Sequence, residues 1–233
     1  MKKVFFLFIA IIIVTATNSY ATPVFFDDFD SGARPEWGNE YGDWYTNEDG
    51  QYDALYLGGR YPTYTYSSVT HLQNLRNFTV ELDIYNVING GVFLRSEDCQ
   101  NGILLLTGGG GHHGVEGFEG LYWHIFEDGM AGARLNMVQV PGILNSDIHL
   151  KITVKGNEYV AFLNGKENPT TSLITDKYHR GEVGLYDYSE QTFDNFVICK
   201  GKKCRPNPVP EPMTMLLFGP ALLGLVGFKR RKR

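Results

Sequence analysis

The sequence predicts an all-β fold, a sandwich of two antiparallel sheets packed face to face and built from about a dozen strands. Three observations predict it. Apolar residues recur at every second position in several runs, Asx-Gly pairs punctuate the chain at short intervals, and no stretch between residues 22 and 208 carries a sustained 3.6-residue apolar stripe. Alternation of this kind buries one face of a strand and leaves the other to water.

The first 21 residues stand apart from that domain. Lys2 and Lys3 precede an uncharged apolar run from Val4 to Val14, and a small-polar stretch closes at Ser19-Tyr20-Ala21. That order predicts a secretory signal peptide, residues 1–21, cut after Ala21, because the apolar run is too short to cross a bilayer core.

Within the body, Phe78, Val80, Leu82 and Ile84 alternate with Thr79, Glu81, Asp83 and Tyr85, and Leu150, Ile152 and Val154 alternate with Lys151, Thr153 and Lys155. Both read as half-buried antiparallel strands. Turns are expected at Asp49-Gly50, Asn89-Gly90, Asn101-Gly102, Asp128-Gly129 and Asn164-Gly165, a spacing that leaves little room for helices. Residues 22–200 then form one sandwich and residues 201–209 a linker.

The C-terminal segment, residues 210–233, reads Pro210-Glu211-Pro212, an uncharged stretch from Met213 to Phe228 and a basic cluster from Lys229 to Arg233. As a helix the apolar stretch would be about 24 Å long, a marginal span for a hydrocarbon core of about 30 Å. The basic end would stay in the cytoplasm, leaving the body outside that membrane. A permanent tail anchor and a removable tag both fit this pattern.

Charge and cysteines narrow the function classes. Residues 22–208 hold 14 Lys/Arg and 25 Asp/Glu, a net charge of −11, which argues against nucleic acid and anionic lipid as partners. Of the three cysteines, Cys199 and Cys204 are close enough in sequence to close a small disulfide loop, leaving Cys99; pairing of Cys99 with either is the alternative. Zinc is disfavoured, since no second Cys or His pair stands at ligand spacing.

The tail resembles the PEP-CTERM sorting signal of Gram-negative bacteria that make extracellular polysaccharide. All three of its parts stand in the family's order over about two dozen residues. The resemblance implies that a membrane-embedded exosortase cuts near Pro210-Glu211-Pro212, so that Met213 to Phe228 tethers the chain to the inner membrane only transiently before delivery to the cell surface or extracellular matrix.

The body is also similar to a known superfamily. "FFDDFDSG" followed by Trp37 and Trp44, "NFTVELDIYNVINGGVFLRS", "HLKITVKGNEYVAFLNGK" and "GEVGLYDYSEQTFDNFVI" are similar, in order, to the concanavalin A-like lectins and glucanases, especially the laminin G-like and family-sixteen-like jelly rolls. This implies the jelly-roll sandwich; because the fold hosts lectins, hydrolases and adhesion modules alike, function has to be argued from a site.

Four candidate sites follow. The glucanase branch carries Glu-x-Asp-x-x-Glu, and here Glu81 and Asp83 match its first two acids while Asn86 replaces the third. An amide cannot protonate a leaving group, so no catalytic residue is expected, Glu81 and Asp83 being only weak candidates. Asp28 and Asp30 near the first strand and Asp194 in the last would suit a structural Ca²⁺, which wants six to eight oxygen ligands, if those strands pair. The glycine run before His112 and His113 lacks the following helix and lysine of a phosphate loop and reads as a loop over the sandwich edge. Sugar binding needs flat aromatic faces and planar polar groups, and Trp44, Tyr122, Trp123 and Arg95 are the expected ligand contacts, Arg95 because the matching strand in the resembled jelly rolls often lines the concave sheet. The expected function is a non-catalytic module binding extracellular polysaccharide; the alternatives are a sugar-active jelly-roll enzyme and a structural matrix protein.

Overall fold

A computed structural model describes residues 23–55, 65–109, 118–201 and 204. The predicted signal peptide, the Pro210-Glu211-Pro212 segment and His112 and His113 lie outside the described residues. Sixteen strands, numbered in chain order, form two antiparallel sheets among them.

In sheet I the order is β14 (Thr171–Ile174), β13 (Glu158–Leu163), β12 (Ile148–Lys155), β6 (Phe78–Tyr85), β16 (Thr192–Cys199), β4 (Tyr52–Ala54) and β3 (Trp44–Thr46). The first strand, β1 (Pro23–Asp27), also pairs with β16. It takes the half that β4 leaves free: β4 meets Phe193, whereas β1 meets Phe196 to Cys199. Between the halves Asn195 adopts φ +50° and the register with β6 shifts. Sheet II runs β10 (Met130–Ala131), β9 (Glu119–Glu127), β8 (Asn101–Gly109), β7 (Asn89–Asp98), β15 (Glu182–Asp187), β5 (Thr65–Val69) and β2 (Trp37–Tyr41), with β11 (Leu135–Gln139) also on β9. The strands beyond the expected dozen are chiefly ladders of two or three residues such as β3, β4 and β10, too short for alternation to reveal.

Alternation sets the core. Phe78, Val80, Leu82 and Ile84 of β6, with Leu150, Ile152 and Val154 of β12, pack against Val92, Leu94, Leu105, Trp123, Val183 and Leu185 of sheet II. Sheet II is apolar on its other face too, where Tyr66, Phe93, Leu104, Leu106, Tyr122, Phe126 and Tyr186 form a second buried cluster. Burial on both faces explains why "GILLL" in β8 is a continuous apolar run, while β12 alternates strictly.

One expected turn is a two-residue hairpin of the predicted kind. Asp128 and Gly129 both have positive φ and join β9 to β10 with Glu127 opposite Met130. Asn164 and Gly165 also take positive φ and turn the chain after β13, with Lys166 N–H donating to the Leu163 carbonyl at 3.0 Å, but the next strand, β14, starts only at Thr171, opposite Ala161. Asn89-Gly90 and Asn101-Gly102, in contrast, lie inside β7 and β8. Gly90 is there for space, since a Cβ would stand 2.4 Å from Gln191 Nε2 and 2.7 Å from Asp187 Oδ1.

Cys199 and Cys204 form a disulfide with Cα atoms 5.5 Å apart, in which Cys99 takes no part. The bond lies with Val197 and Phe26 in a small apolar cluster on the outside of sheet I.

Candidate functional site

The outer face of sheet I collects the polar residues that alternation excludes from the core. Thr79, Glu81, Asp83 and Tyr85 point outward from β6, and cross-strand register sets His149 of β12 beside Asp83, and Lys151 beside both Glu81 and Phe162 of β13. Thr153 stands between Thr79 and Val160 in the next row. The half-buried Phe162 ring therefore lies in line with a Lys–Glu pair and one step from a His–Asp pair. A groove of ≈ 620 Å³ opens over them, lined by Glu81, His149, Lys151, Val160 and Phe162 and, at its rim, by Lys166 and Glu167.

The charges at its floor, Glu81, His149 and Lys151, are paired. Lys151 Nζ is 2.7 Å from Glu81, His149 Nδ1 is 2.7 Å from Asp83 Oδ1, and His149 Nε2 is 3.8 Å from Glu81. Asn195, turned by its left-handed φ, donates to Asp83 Oδ2 at 2.9 Å. The hydrogen bond to Asp83 and the nearby Glu81 carboxylate raise His149 to about 9, so it is an imidazolium at neutral pH. The bond from His149 holds Asp83 below the ordinary carboxylate range. Burial pushes Glu81 upward, but the neighbouring His149 and Lys151 cations outweigh it and leave Glu81 low as well. Both carboxylates are ionised at neutral pH, so neither holds the proton that a glycosidic leaving group would need. Asn86 has left the strand at φ +52°, its backbone N–H donating to Asp147, and does not extend the acidic row.

The expected sugar contacts lie elsewhere. By alternation from Phe93, Arg95 should project from the outer face of sheet II. Instead the register shifts between Ser96–Glu182 and Leu94–Val183, and Arg95 takes φ +50° and turns inward. It is 1% exposed, and its guanidinium donates to Tyr159 Oη at 3.0 Å, to the carbonyls of Tyr178 (2.8 Å) and Gly156 (2.6 Å), and to that of Arg76. Arg95 thus clamps β7 of sheet II to the β12–β13 hairpin of sheet I and is not a ligand contact.

Trp123 is fully buried between the sheets, its indole N–H donating to Thr171 at 3.2 Å. Its neighbour Tyr122 faces the opposite side, yet is only 2% exposed, within the second apolar cluster and with the Arg134 guanidinium 5.6 Å from its ring centroid. Trp44 packs inward on Tyr52 and Phe193. These positions correct the expected contact set: its rings serve the two cores.

The calcium set is not assembled either. Burial and the neighbouring carboxylates of Asp83, Asp30 and Asp28 raise Asp194, so the acids lie within electrostatic reach. Among the described residues, however, no three His, Cys, Asp or Glu side chains stand close enough to hold a metal ion. The structural acid of that region is Asp27, which accepts from the backbone N–H groups of Phe29 and Arg34 and from Trp37 Nε1. The signal for it was the Asx-type spacing of Asp27 to Phe29.

A second hollow, of ≈ 690 Å³, lies at one end of sheet II against Asn74, Ser96, Glu97, Asp98, Arg180 and Glu182. No aromatic ring lines it.

With this geometry in place, solved structures supply the fold. Carbohydrate-binding module CBM66 from Bacillus subtilis superposes with a TM-score of 0.56 at 19% identity, covering 70% of this chain and 95% of the module. The β-glucanase of Bacillus licheniformis gives 0.52 at 11% identity over 79% of this chain and 100% of the enzyme. The fold is the concanavalin A-like jelly roll. The exoplasmic/lumenal domain of VIP36, in a form bound to Ca²⁺ and Man3GlcNAc, shares the jelly roll with a TM-score of 0.51 at 10% identity, covering 76% of this chain and 88% of that one. No protein-family model matches the sequence, and no curated protein sequence matches it either.

Proposed function

We propose that this jelly roll is a non-catalytic carbohydrate-binding module that takes polysaccharide on the outer face of sheet I. The observation that carries the reading is the half-buried Phe162 ring beside the Lys151–Glu81 pair in an open groove. A sugar ring has an apolar face that stacks on an aromatic side chain and equatorial hydroxyls that meet carboxylates and ammonium groups; the groove supplies both. That structural neighbours include a carbohydrate-binding module and a saccharide-bound domain supports the class.

The ionised state of Glu81 and Asp83 favours binding over turnover. The module is exported, is tethered through Met213 to Phe228 until an exosortase cuts near Pro210-Glu211-Pro212, and then works at the cell surface or in an extracellular polysaccharide matrix. Structural Ca²⁺ is not needed for this reading.

A glycan array followed by titration calorimetry tests it. Saturable binding that is lost in Phe162→Ala with the unfolding midpoint unchanged is the expected result. A folded protein that no glycan saturates would overturn the reading and favour a purely structural role. Intact mass of the protein from its native host tests the processing: a species from about Thr22 to about Pro210 is expected, and one retaining Met213 to Arg233 in the inner membrane would make the tail an anchor.

A further inference from the structure

The polar face of sheet I continues well beyond the groove. On β3, Tyr45 is 44% exposed and stands opposite Asp53 of β4, its hydroxyl donating to that carboxylate at 2.9 Å. Because Phe193 is opposite Tyr52, Asp53 and Gln51 share the outer face with Thr192 and Asp194 of β16, and these stand opposite Tyr85 and Asp83 of β6. Asp83 stands opposite His149, and one step further along the same two strands Glu81 stands opposite Lys151, which stands opposite Phe162.

An exposed or half-exposed aromatic ring therefore stands at each end of a face six strands wide, and the side chains between them are hydrogen-bonding groups of both kinds. Asp53, Asp83, Asp194 and Glu81 accept, Lys151 and His149 donate, and Gln51 and Thr192, themselves joined at 2.6 Å, do both. Five inter-strand spacings, together with the step along β6 from Tyr85 to Glu81, make the separation of the two rings on the order of 27 Å, which no single sugar bridges.

We infer that the outer face of sheet I is a platform with several subsites for the interior of an extended, ribbon-shaped, β-1,4-linked polysaccharide, with Tyr45 and Phe162 as its terminal stacking rings. The inference rests on the proposed carbohydrate binding at Phe162 and adds the mode and the polymer class. Neighbouring strands stand about 4.8 Å apart and twist by roughly 20° from one to the next, and an extended chain of equatorially linked rings advances by a similar step per ring and can twist about its own axis, so successive rings can follow successive strands. A helical glucan would curve away after the first contacts, and a site for chain ends would need only one of the two rings.

The test is calorimetry of the protein with a ladder of cello-oligosaccharides from cellobiose to cellohexaose, using wild type, Tyr45→Ala, Tyr45→Phe and Phe162→Ala, each checked for folding by circular dichroism. Affinity is expected to rise with length, by roughly tenfold once both rings are covered. Tyr45→Ala removes that rise, Tyr45→Phe keeps it because the ring remains, and Phe162→Ala weakens every length. Affinity independent of length and indifferent to Tyr45→Ala overturns the platform while leaving carbohydrate binding in place. Failure to bind any cello-oligosaccharide, with another glycan bound on the array, overturns the polymer class. An array with no saturating glycan overturns the functional reading itself.

Discussion

His149 Nδ1 lies 2.7 Å from Asp83 Oδ1 on the outward side of sheet I, and Asn195, on the strand that flanks Asp83 on its other side, holds the other carboxylate oxygen of the same Asp83. The pair is made by register alone, since β12 and β6 align these two positions across an antiparallel ladder. It gives the groove a fixed positive charge next to a fixed negative one.

His149 should titrate near pH 9 and not at the unperturbed 6.5, as followed by its ring protons in NMR. Its folded pKa lies above the unfolded value, so its contribution to stability is complete below about pH 6.5 and disappears as pH rises through about 9. The side chain is 42% exposed, so solvent screening keeps that contribution to about 1 kcal/mol or less. Asp83→Asn should return the midpoint toward 6.5; a midpoint unmoved by this change would sink the pairing.

Asp187 is expected to behave in the opposite sense. Burial at the end of β15 raises it from 3.8 to about 7 even though Ser189 donates both its backbone N–H and its hydroxyl to the carboxylate. Because the folded state prefers the protonated acid, stability is highest below the unfolded pKa and declines as pH climbs from about 4 to about 7. Asp187→Asn should therefore raise the urea midpoint above pH 7 by the equivalent of ~2 kcal/mol and leave it nearly unchanged near pH 4. Equal effects at both pH values would count against a buried titrating acid.

Arg95→Met should cost ~3–5 kcal/mol in urea unfolding, because it strips the Tyr159 hydroxyl and three inward-facing carbonyls of their donor. Arg95→Lys should not rescue it, one ammonium being unable to span acceptors arranged around a planar fork. A variant of ordinary stability that had lost only glycan affinity would restore Arg95 to the ligand surface.

Trp123→Ala is expected to lower stability by ~3–5 kcal/mol through the cavity it opens between the sheets. Trp123→Phe, which keeps a ring in the core, should fold and retain glycan binding. Comparison with Phe162→Ala, which should weaken binding without moving the unfolding midpoint, separates core from site.

Much of the fold was legible from local pattern. The alternation of β6 and β12 was visible because each strand has one face in the core and one in water, and the Asp128-Gly129 hairpin because only a few residue pairs tolerate two successive positive φ angles. Glu81 and Asp83 were visible as neighbours on one face for the same reason, but their partners were not. His149, Lys151 and Phe162 belong to strands far along the chain, and nothing in their own segments says which residue of β6 they meet.

The sequence by itself determined the two-sheet class, the outward face of β6 and β12 and the acidic character of the body. All of these are local: period-two burial, turn conformations and charge need no knowledge of distant residues. Only the tertiary structure decided that Arg95 turns into the core, that Trp123 faces the opposite sheet and that Tyr45 and Phe162 share one outer surface. Each depends on a bulge, on a sheet buried on both faces or on a cross-strand register, and these are set by pairing between segments distant in the chain.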